Sequence, residues 1–403
     1  MFNKVISIIG LGYIGLPTAA LLAKKGFKVK GFDLNKYAVK TINSGSIHIV
    51  EPGLDEYVSS AVSKGNLKAY NTLQSADIYV ICVPTPFYPD TVPPKPNIDY
   101  VMKAAEDIGD LLKDNDIVIL ESTSPVGTTE LVADTFIKKG IDLSKIYISY
   151  CPERVLPGNI IEELVQNDRV IGGINKISGD KVCNFYKTFV DGEILCTDSK
   201  TAEMCKLSEN SFRDVNIAFA NELSVLCDKE NIDVWNLIRL TNRHPRVNIL
   251  QPSPGVGGHC IAVDPWFIVD RDQKNSELIR KSRETNLKKT EWTIEKIKKE
   301  IHKARETLDK NPSVAILGIS FKPNIDDLRE SPSAYIAEAL LKENYDIDVF
   351  EPNIESHSIF NIVLLSEFRN YDIVVGLVKH DEFMNNSFKQ KLTKSRLLNF
   401  CGI

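Results

Sequence analysis

Eight cysteines, at positions 82, 151, 183, 196, 205, 227, 260 and 401, are scattered over 403 residues without a single CxxC pair. Zinc-ligand spacing is therefore missing, and so is the cysteine density of a disulfide-stapled scaffold; a reducing cytoplasm is the simplest home. Positive charge is not in excess: 49 Lys and Arg stand against 54 Asp and Glu, a net charge of −5. Such a chain lacks the electrostatic footprint of a nucleic-acid binder. Composition shows no strong bias, with 43% hydrophobic and 26% charged residues, which excludes a disordered chain or a collagen-like fibre. The length suits two or three domains. One uncharged run, Val5–Ala23 behind Lys4, has the look of a signal peptide or membrane helix. Gly10, Gly12, Gly15 and Pro17 interrupt it and suit a turn better, so no membrane association is expected.

What is present begins inside that run. Lys4–Ile9 is an apolar, β-rich segment, followed at once by Gly10-Leu11-Gly12-Tyr13-Ile14-Gly15, a helical stretch Leu16–Lys25, Gly26, and a second strand Lys28–Phe32 ending in Asp33. Strand, glycine turn, helix, strand and acid in about thirty residues is the dinucleotide-binding layout. Gly10 permits the tight turn, Gly12 clears the backbone for a pyrophosphate, and Gly15 lets helix and strand pack closely. The helix N-terminus offers N–H groups to phosphates. A carboxylate at Asp33 accepts hydrogen bonds from ribose hydroxyls and repels a 2′-phosphate, which favours NAD over NADP.

Further strands, Asp77–Val83, Asp116–Glu121 and Lys145–Tyr150, run into loops rich in Pro, Ser, Thr and Gly, where ligands of such sheets sit. The middle of the chain reads as two long helices, Thr201 to about Glu230 and Ser276 to about Leu308, around a Gly- and Pro-rich loop, Asn242–Pro265. The lysines of the second helix (288, 289, 296, 298 and 299) are expected on a solvated face. The last part echoes the first: Val314–Leu317 then Gly318, and Ile347–Phe350 ending in Glu351. Gly318-Ile319-Ser320-Phe321-Lys322 is not a dinucleotide fingerprint. A Rossmann-type unit that binds another anion through Lys322 is expected.

Four segments carry chemistry. In Pro254–Pro265, three glycines are expected to clear space beside Cys260, which is either a nucleophile or a buried structural thiol on spacing alone. His259 is unsuited as its base, because neighbours in an extended segment point to opposite sides. Lys206, Asn210 and Arg213 fall at i, i+4 and i+7, one helix face that suits an anionic or polyhydroxylated ligand, or simply solvent. Thr241–Arg246 is a cationic loop fit for phosphate. Phe321–Ser331 is a turn of balanced charge.

Taken together these residues resemble the UDP-glucose/GDP-mannose dehydrogenase family over essentially the whole chain. The resemblance rests on GLGYIGLPTAA (10–20), VPTPF (83–87), ESTSPVGTTE (121–130), CPERVLPG (151–158), NDRVIGG (167–173), TAEMCKLSENSFRDVNIAFANELS (201–224), NRHPRVNILQPSPGVGGHCIAVDPWFI (242–268) and FKPNIDDLRESP (321–332). CPERVLPG, HPRVN and GGHCIAVDP look most like the branch acting on UDP-N-acetyl-D-mannosamine. Ser253 departs from the family, standing where glycine is common, in a position expected to be harmless.

The family implies an α/β fold: two Rossmann-like domains, parallel sheets with helices on both faces, joined by a central helical dimerisation region. The expected bounds are 1–195 for NAD binding, 196–308 for the helical catalytic region and 309–403 for the sugar nucleotide. It also implies an NAD-dependent, four-electron oxidation of a UDP-sugar at C6 through a thiohemiacetal and thioester on Cys260, for surface polysaccharide synthesis. Lys206, Asn210, Asp264, Glu153 and Thr123 match the other catalytic residues. Gly10, Gly12, Tyr13, Ile14, Gly15, Asp33, Thr85, Val126 and Arg329 match NAD contacts. Arg154, Val155, Lys206, Asn210, Arg213, His244, Arg246, Gly257 and Lys322 match the sugar-nucleotide pocket. A homodimer is expected, with the Arg243–Arg246 loop reaching the neighbouring subunit. A single-oxidation hydroxyacid dehydrogenase would need neither Cys260 nor the second Rossmann unit, and a non-enzymatic NAD-binding regulator would not need the full set of Lys206, Asn210, Cys260 and Asp264.

Overall fold

The computed structural model describes residues 4–88, 91–156, 158–258 and 260–403. It divides into two compact units: Met1–Glu209 with Trp266–Arg271, and Asn210–Pro265 with Asp272–Ile403. In chain order the first part holds β1 (Val5–Ile9), α1 (Gly15–Lys24), β2 (Lys28–Phe32), α2 (Lys36–Asn43), α3 (Leu54–Ser63), β3 (Leu67–Tyr70), β4 (Ile78–Ile81), α4 (Asp99–Gly109), β5 (Ile117–Leu120), α5 (Thr128–Lys138), β6 (Tyr147–Tyr150), α6 (Ile160–Gln166), β7 (Arg169–Gly173), α7 (Lys176–Tyr186), β8 (Ile194–Asp198) and α8 (Ser199–Glu230). There follow α9 (Val234–Thr241), α10 (Asp264–Arg271), α11 (Glu277–Leu308), β9 (Val314–Leu317), α12 (Pro332–Lys342), β10 (Ile347–Phe350), β11 (Ile373–Gly376), α13 (Asp381–Met384), α14 (Asn386–Leu392) and β12 (Arg396–Asn399). No described helix is long and apolar enough to cross a membrane.

The strands of the first unit form one sheet in the order β3-β2-β1-β4-β5-β6-β7-β8. Every pair is parallel except β6 with β7. Helices cover both faces, so the central strands β4 and β5 are apolar and buried throughout, whereas β2 and β3 near the edge alternate. Ile6, Ile8, Ile78, Val80, Ile117 and Ile119 enter one core, while Ile9, Tyr79, Ile81, Val118 and Leu120 enter the other. From β1 the chain builds outward through β2 and β3, then crosses to β4 on the other side. That reversal opens a crevice at the carboxyl ends of β1 and β4. Strand β4 stops at Ile81 rather than Val83, because Pro84 and Pro86 have no N–H to continue a ladder.

In the second unit the sheet order is β10-β9-β11-β12, all parallel. Ile294, Ile297 and Ile301 of α11 join Val314, Ile316, Ile373 and Val375 in the core on one face. Ala315, Leu317, Phe350 and Val374 lie on the other. The second sheet is thus wholly parallel and the first parallel but for the β6–β7 pair, an α/β arrangement as the sequence implied.

Two expectations are corrected. Lys289 of α11 is not on a solvated face: it is buried, its Nζ 2.8 Å from Ser224 Oγ and 3.8 Å from the Trp292 ring centroid. A helix of 32 residues packed against others buries a stripe whatever its charge, and the lysine stem supplies apolar length there. Cys183 of α7 and Cys196 of β8 are joined as a disulfide, a pairing that sequence spacing gave no sign of.

Candidate functional site

The glycine turn behaves as its sequence requires. Gly10 has φ +91°, and a Cβ there would lie 2.8 Å from the Cys82 carbonyl oxygen; one on Gly15 would overlap the Gly10 carbonyl. A Cβ on Gly12, by contrast, would meet nothing within 4 Å. Gly10 and Gly15 are therefore demanded by packing, whereas Gly12 borders open space of the kind a pyrophosphate needs. Ile14 is the N-cap of α1, with no side-chain cap and no acidic residue in the first turn, which leaves that end suited to phosphate. Tyr13 is half-buried beside it. Asp33 accepts the Leu11 N–H on Oδ2 and the Asn35 N–H on Oδ1, both at 2.8 Å. Its carboxylate is thereby fixed against the glycine turn, and each oxygen keeps a second lone pair for a ribose hydroxyl. These residues fit NAD.

The loops after β4 and β5 are tied together. Thr85 Oγ1 donates to the Thr123 carbonyl at 2.7 Å, and Ser122 Oγ to the Val83 carbonyl at 2.6 Å. Val126 is half-buried at the start of α5. That start is capped from afar: Glu203 of α8 accepts the Gly127 N–H at 2.6 Å and both the N–H and hydroxyl of Thr129. A carboxylate at a helix N-terminus is favourable, and here it is fully buried with three donors. The sequence reading missed Glu203, whose partners lie more than seventy residues away.

Beneath these loops is a buried polar cluster that was also missed apart from Glu153. Glu153 accepts the Arg169 guanidinium at 2.5 Å and the Arg154 N–H at 2.6 Å. Arg169 is fully buried and donates also to the Leu164 carbonyl. Glu121 accepts the Tyr186 hydroxyl at 2.6 Å and faces the Cys82 thiol at 3.2 Å. Burial pushes Glu121 upward, repulsion from Glu153 adds to this, and Arg169 opposes it. The same burial holds the Cys82 thiol well above its usual range and pushes Cys151 up to about 12. Both are thereby inert, since the thiolate is the nucleophile. Cys260, in contrast, is the exposed cysteine outside the disulfide among those described.

The residues around Cys260 follow from one turn. Its carbonyl accepts the Val263 and Asp264 N–H groups at 2.9 and 2.8 Å, starting α10. Asp264 is buried, and its Oδ2 accepts the Asn210 amide at 2.6 Å. Lys206 is buried one turn earlier on α8, and Arg213, also on α8, is exposed. His259 lies outside the described residues. The glycines of this loop do not face empty space. A Cβ on Gly255 would strike Thr290 Oγ1, one on Gly257 the Glu330 carbonyl and Pro332, and one on Gly258 (φ +79°) the Phe321 ring at 2.8 Å. Clearance beside the thiol was the sequence expectation; close packing against Thr290 and the 321–332 segment is the observed reason for these glycines.

The remaining matched residues are partly engaged within the chain. Arg154 pairs with Glu209 through Nε (3.1 Å) and Nη2 (2.6 Å). Val155 packs against the first core. Arg329 forms a two-pronged pair with Asp327, with Nη2 to Oδ2 at 2.6 Å. The Arg243–Arg246 loop is exposed and closed at its base by Asn242, whose amide exchanges two hydrogen bonds with Ile249. The His244 ring Nδ1 accepts the Arg246 N–H at 3.3 Å. Lys322 sits half-buried after Ser320, in a segment held by Glu351, which accepts the Ile319 and Ser320 N–H groups at 2.8 and 3.1 Å. Glu351 thus does in the second sheet what Asp33 does in the first. Its carboxyl is held below its usual range: burial alone would raise it, but the His380 hydrogen bond and these N–H groups outweigh that.

Comparison with known proteins agrees with this geometry. The family model for the NAD-binding domain of the UDP-glucose/GDP-mannose dehydrogenase family matches residues 4–190, its central domain 200–288 and its UDP-binding domain 315–400. A UDP-N-acetyl-D-mannosamine dehydrogenase of Campylobacter jejuni is 50% identical over 99% of this chain and 99% of its own. The structure of the UDP-D-ManNAc dehydrogenase from Pyrococcus horikoshii is similar with a TM-score of 0.89 at 34% identity, covering 98% of this chain and 95% of the other. The UDP-N-acetyl-mannosamine dehydrogenase of Staphylococcus aureus gives 0.88 at 38%, covering 98% and 94%. The chain therefore belongs to the UDP-glucose/GDP-mannose dehydrogenase family and is an NAD-dependent oxidoreductase.

Proposed function

We propose that this enzyme oxidises UDP-N-acetyl-D-mannosamine at C6 to UDP-N-acetyl-D-mannosaminuronate, using two NAD and one water per sugar. The observation that carries the proposal is the turn that joins the exposed Cys260 to Asp264, with Asp264 bound to Asn210 one helical turn beyond Lys206. NAD, when bound, accepts a hydride at each of the two oxidations.

The chain's own residues do the rest. Lys206 takes the proton of the C6 hydroxyl as the first C–H bond breaks. The Cys260 thiolate then adds to the aldehyde carbon, and Lys206 and Asn210 stabilise the resulting oxyanion. Loss of a second hydride from that carbon leaves a thioester. Water held by Thr123, Glu153 and Asp264 adds to it, and the C–S bond breaks to free the carboxylate and regenerate the thiolate. The covalent adduct explains why a hydride-transfer enzyme needs a thiol: it restores a C–H bond to oxidise and prevents escape of the aldehyde. Arg154, Val155, Arg213, His244, Arg246, Gly257 and Lys322 hold the sugar nucleotide, and Tyr13, Thr85, Val126 and Arg329 join the glycine turn around NAD. The domain bounds 1–195, 196–308 and 309–403 belong to this proposal, as do a cytoplasmic location and a place in surface polysaccharide synthesis.

A homodimer is part of the same proposal. Helix α8 is exposed at Phe212 (70%), Phe219 (53%) and Leu226 (54%), large apolar side chains at seven-residue intervals on one face. A second copy of this chain would cover that stripe and bring its Arg243–Arg246 loop to the neighbouring site.

The decisive experiment is NADH release with UDP-N-acetylmannosamine, UDP-N-acetylglucosamine, UDP-glucose and GDP-mannose in parallel. Two NADH per UDP-N-acetylmannosamine, and none from Cys260→Ala in the second oxidation, are expected. A preference for UDP-N-acetylglucosamine or UDP-glucose would keep the chemistry and change the substrate. One NADH per sugar, or undiminished Cys260→Ala, would refute the mechanism.

A further inference from the structure

Helix α8 buries polar side chains where an ordinary helix buries apolar ones. Asn210, Asp214, Asn221 and Ser224 recur at helical spacing and are all buried. Only the first has a place in the proposed chemistry. The others face α11, and their hydrogen bonds form a directed chain. Arg283 Nη1 donates to Asp214 Oδ1 at 2.6 Å, and Asn286 Nδ2 donates to the same oxygen at 2.7 Å and to the Asp214 carbonyl at 3.2 Å. Asn221 Nδ2 donates to Asn286 Oδ1 at 2.9 Å. Asn221 Oδ1 accepts the Ser253 backbone N–H at 2.8 Å.

The direction of this chain has no freedom. A guanidinium stands at one end and a peptide N–H at the other, and both can only donate. Asp214 Oδ1 already receives two donors, so it is an acceptor whether or not the other oxygen carries a proton. Asn286 must then turn its NH₂ toward Asp214 and its carbonyl toward Asn221. Asn221 in turn must offer its carbonyl to Ser253. A flip of either amide would set oxygen against oxygen in a buried site, at the cost of the bond and of desolvation.

Ser253 lies in the segment 250–258, which contains no helix or strand and leads to Cys260. Loop backbone of this kind is placed only by what its few anchors supply. The glycine packing against Thr290, Phe321 and Pro332 fixes its far part. The Ser253 side chain, where the family commonly has glycine, adds a 2.5 Å hydrogen bond to the Gly255 carbonyl. We infer that Asn221, oriented through Asn286 by the Asp214–Arg283 pair, is a positioning residue that sets the loop carrying Cys260. This rests on the proposed role of Cys260, and it extends the functional part of α8 more than two turns beyond Lys206 and Asn210. A misplacement of about 1 Å at a reacting atom is enough to cost roughly a hundredfold in rate.

The test combines hydrogen exchange with kinetics on the full-length enzyme, using UDP-N-acetylmannosamine and NAD. In the wild type the Ser253 amide should exchange as slowly as the amides of α8, although it lies in a loop; rapid exchange overturns the inference without any variant. In Asn221→Ala, exchange across 250–258 should accelerate at least tenfold. There kcat should fall between tenfold and a hundredfold, with the KM for NAD unchanged. Asn286→Ala, which leaves Asn221 in place but unoriented, should show the same pattern more weakly, and serves if Asn221→Ala does not fold. Faster loop exchange with wild-type kcat overturns the inference, as does a lowered melting temperature alone. Should Cys260→Ala keep full activity, the parent mechanism fails instead, while the exchange result still stands on its own.

Discussion

Lys289 offers a quantitative check on the helical region. Its pKa is pushed from 10.5 down to about 7, chiefly by burial, with Asp228 opposing and Lys296 adding. In the unfolded chain the amine regains its ordinary value. Between about pH 7 and 10.5, then, the unfolded state holds a proton that the folded state has lost, so stability rises with pH through that window. The penalty is complete below pH 7 and vanishes above 10.5. At about 1.4 kcal/mol per pH unit, the gap sets an upper bound of roughly 5 kcal/mol at low pH and about 2 kcal/mol at pH 9. Lys289→Met keeps the stem and removes the titration. It also loses the Ser224 hydrogen bond and the contact with Trp292, a pH-independent cost of about 1–3 kcal/mol that shifts the curve without tilting it. The difference in stability between Met and Lys should therefore shrink, in favour of the wild type, by about 2 kcal/mol from pH 7 to pH 9. For a unit of this size that is a change of about 4–8 °C in the difference of melting temperatures, measured by calorimetry across the range. Parallel curves for the two proteins would refute the placement of a charge-poor amine in this core.

Two further outcomes are expected. Arg169→Met strands Glu153 in a buried site without its guanidinium, so thermal unfolding should show a loss of about 3–5 kcal/mol, largely restored in the Arg169→Met, Glu153→Gln double variant; a loss below about 1 kcal/mol would remove the pair from the scaffold of the site. Phe212→Glu with Phe219→Glu places charge on the apolar stripe of α8. Light scattering should then show monomer where the wild type shows dimer, with activity falling as well if the Arg243–Arg246 loop completes the neighbouring site; a wild type that is already monomeric sinks the dimer.

Much of the architecture is local and was legible. The Gly10–Gly15 turn with Asp33 announces its crevice because each residue answers to a constraint within about thirty positions. The apolar runs at 5–9, 78–81, 117–120 and 314–317 announce parallel strands because both faces are covered. The helix spacing of Lys206 and Asn210 is likewise local. Other residues gave no such signal. Glu203 caps α5 from another helix, Arg169 neutralises Glu153 within a core, and Asn221 takes an N–H from a loop thirty-two residues on. Nothing in their sequence neighbourhoods separates them from ordinary surface polar residues.

The sequence by itself thus determined the two α/β units and the cofactor turn, and it supplied the candidates for the chemistry-bearing side chains, since periodicity, turns and caps act over short spans. Tertiary structure alone decided which polar groups are withdrawn from water. Of the thiols outside the disulfide, it leaves Cys260 exposed, buries Cys151 and half-buries Cys82 beside carboxylates. Of the lysines on α11, it makes Lys289 the buried one with a lowered pKa. The eight unpaired-looking cysteines accordingly resolve into one disulfide, two buried and three half-buried thiols, and one that is exposed. Desolvation depends on everything packed around a group, and that is a property of the fold rather than of any segment.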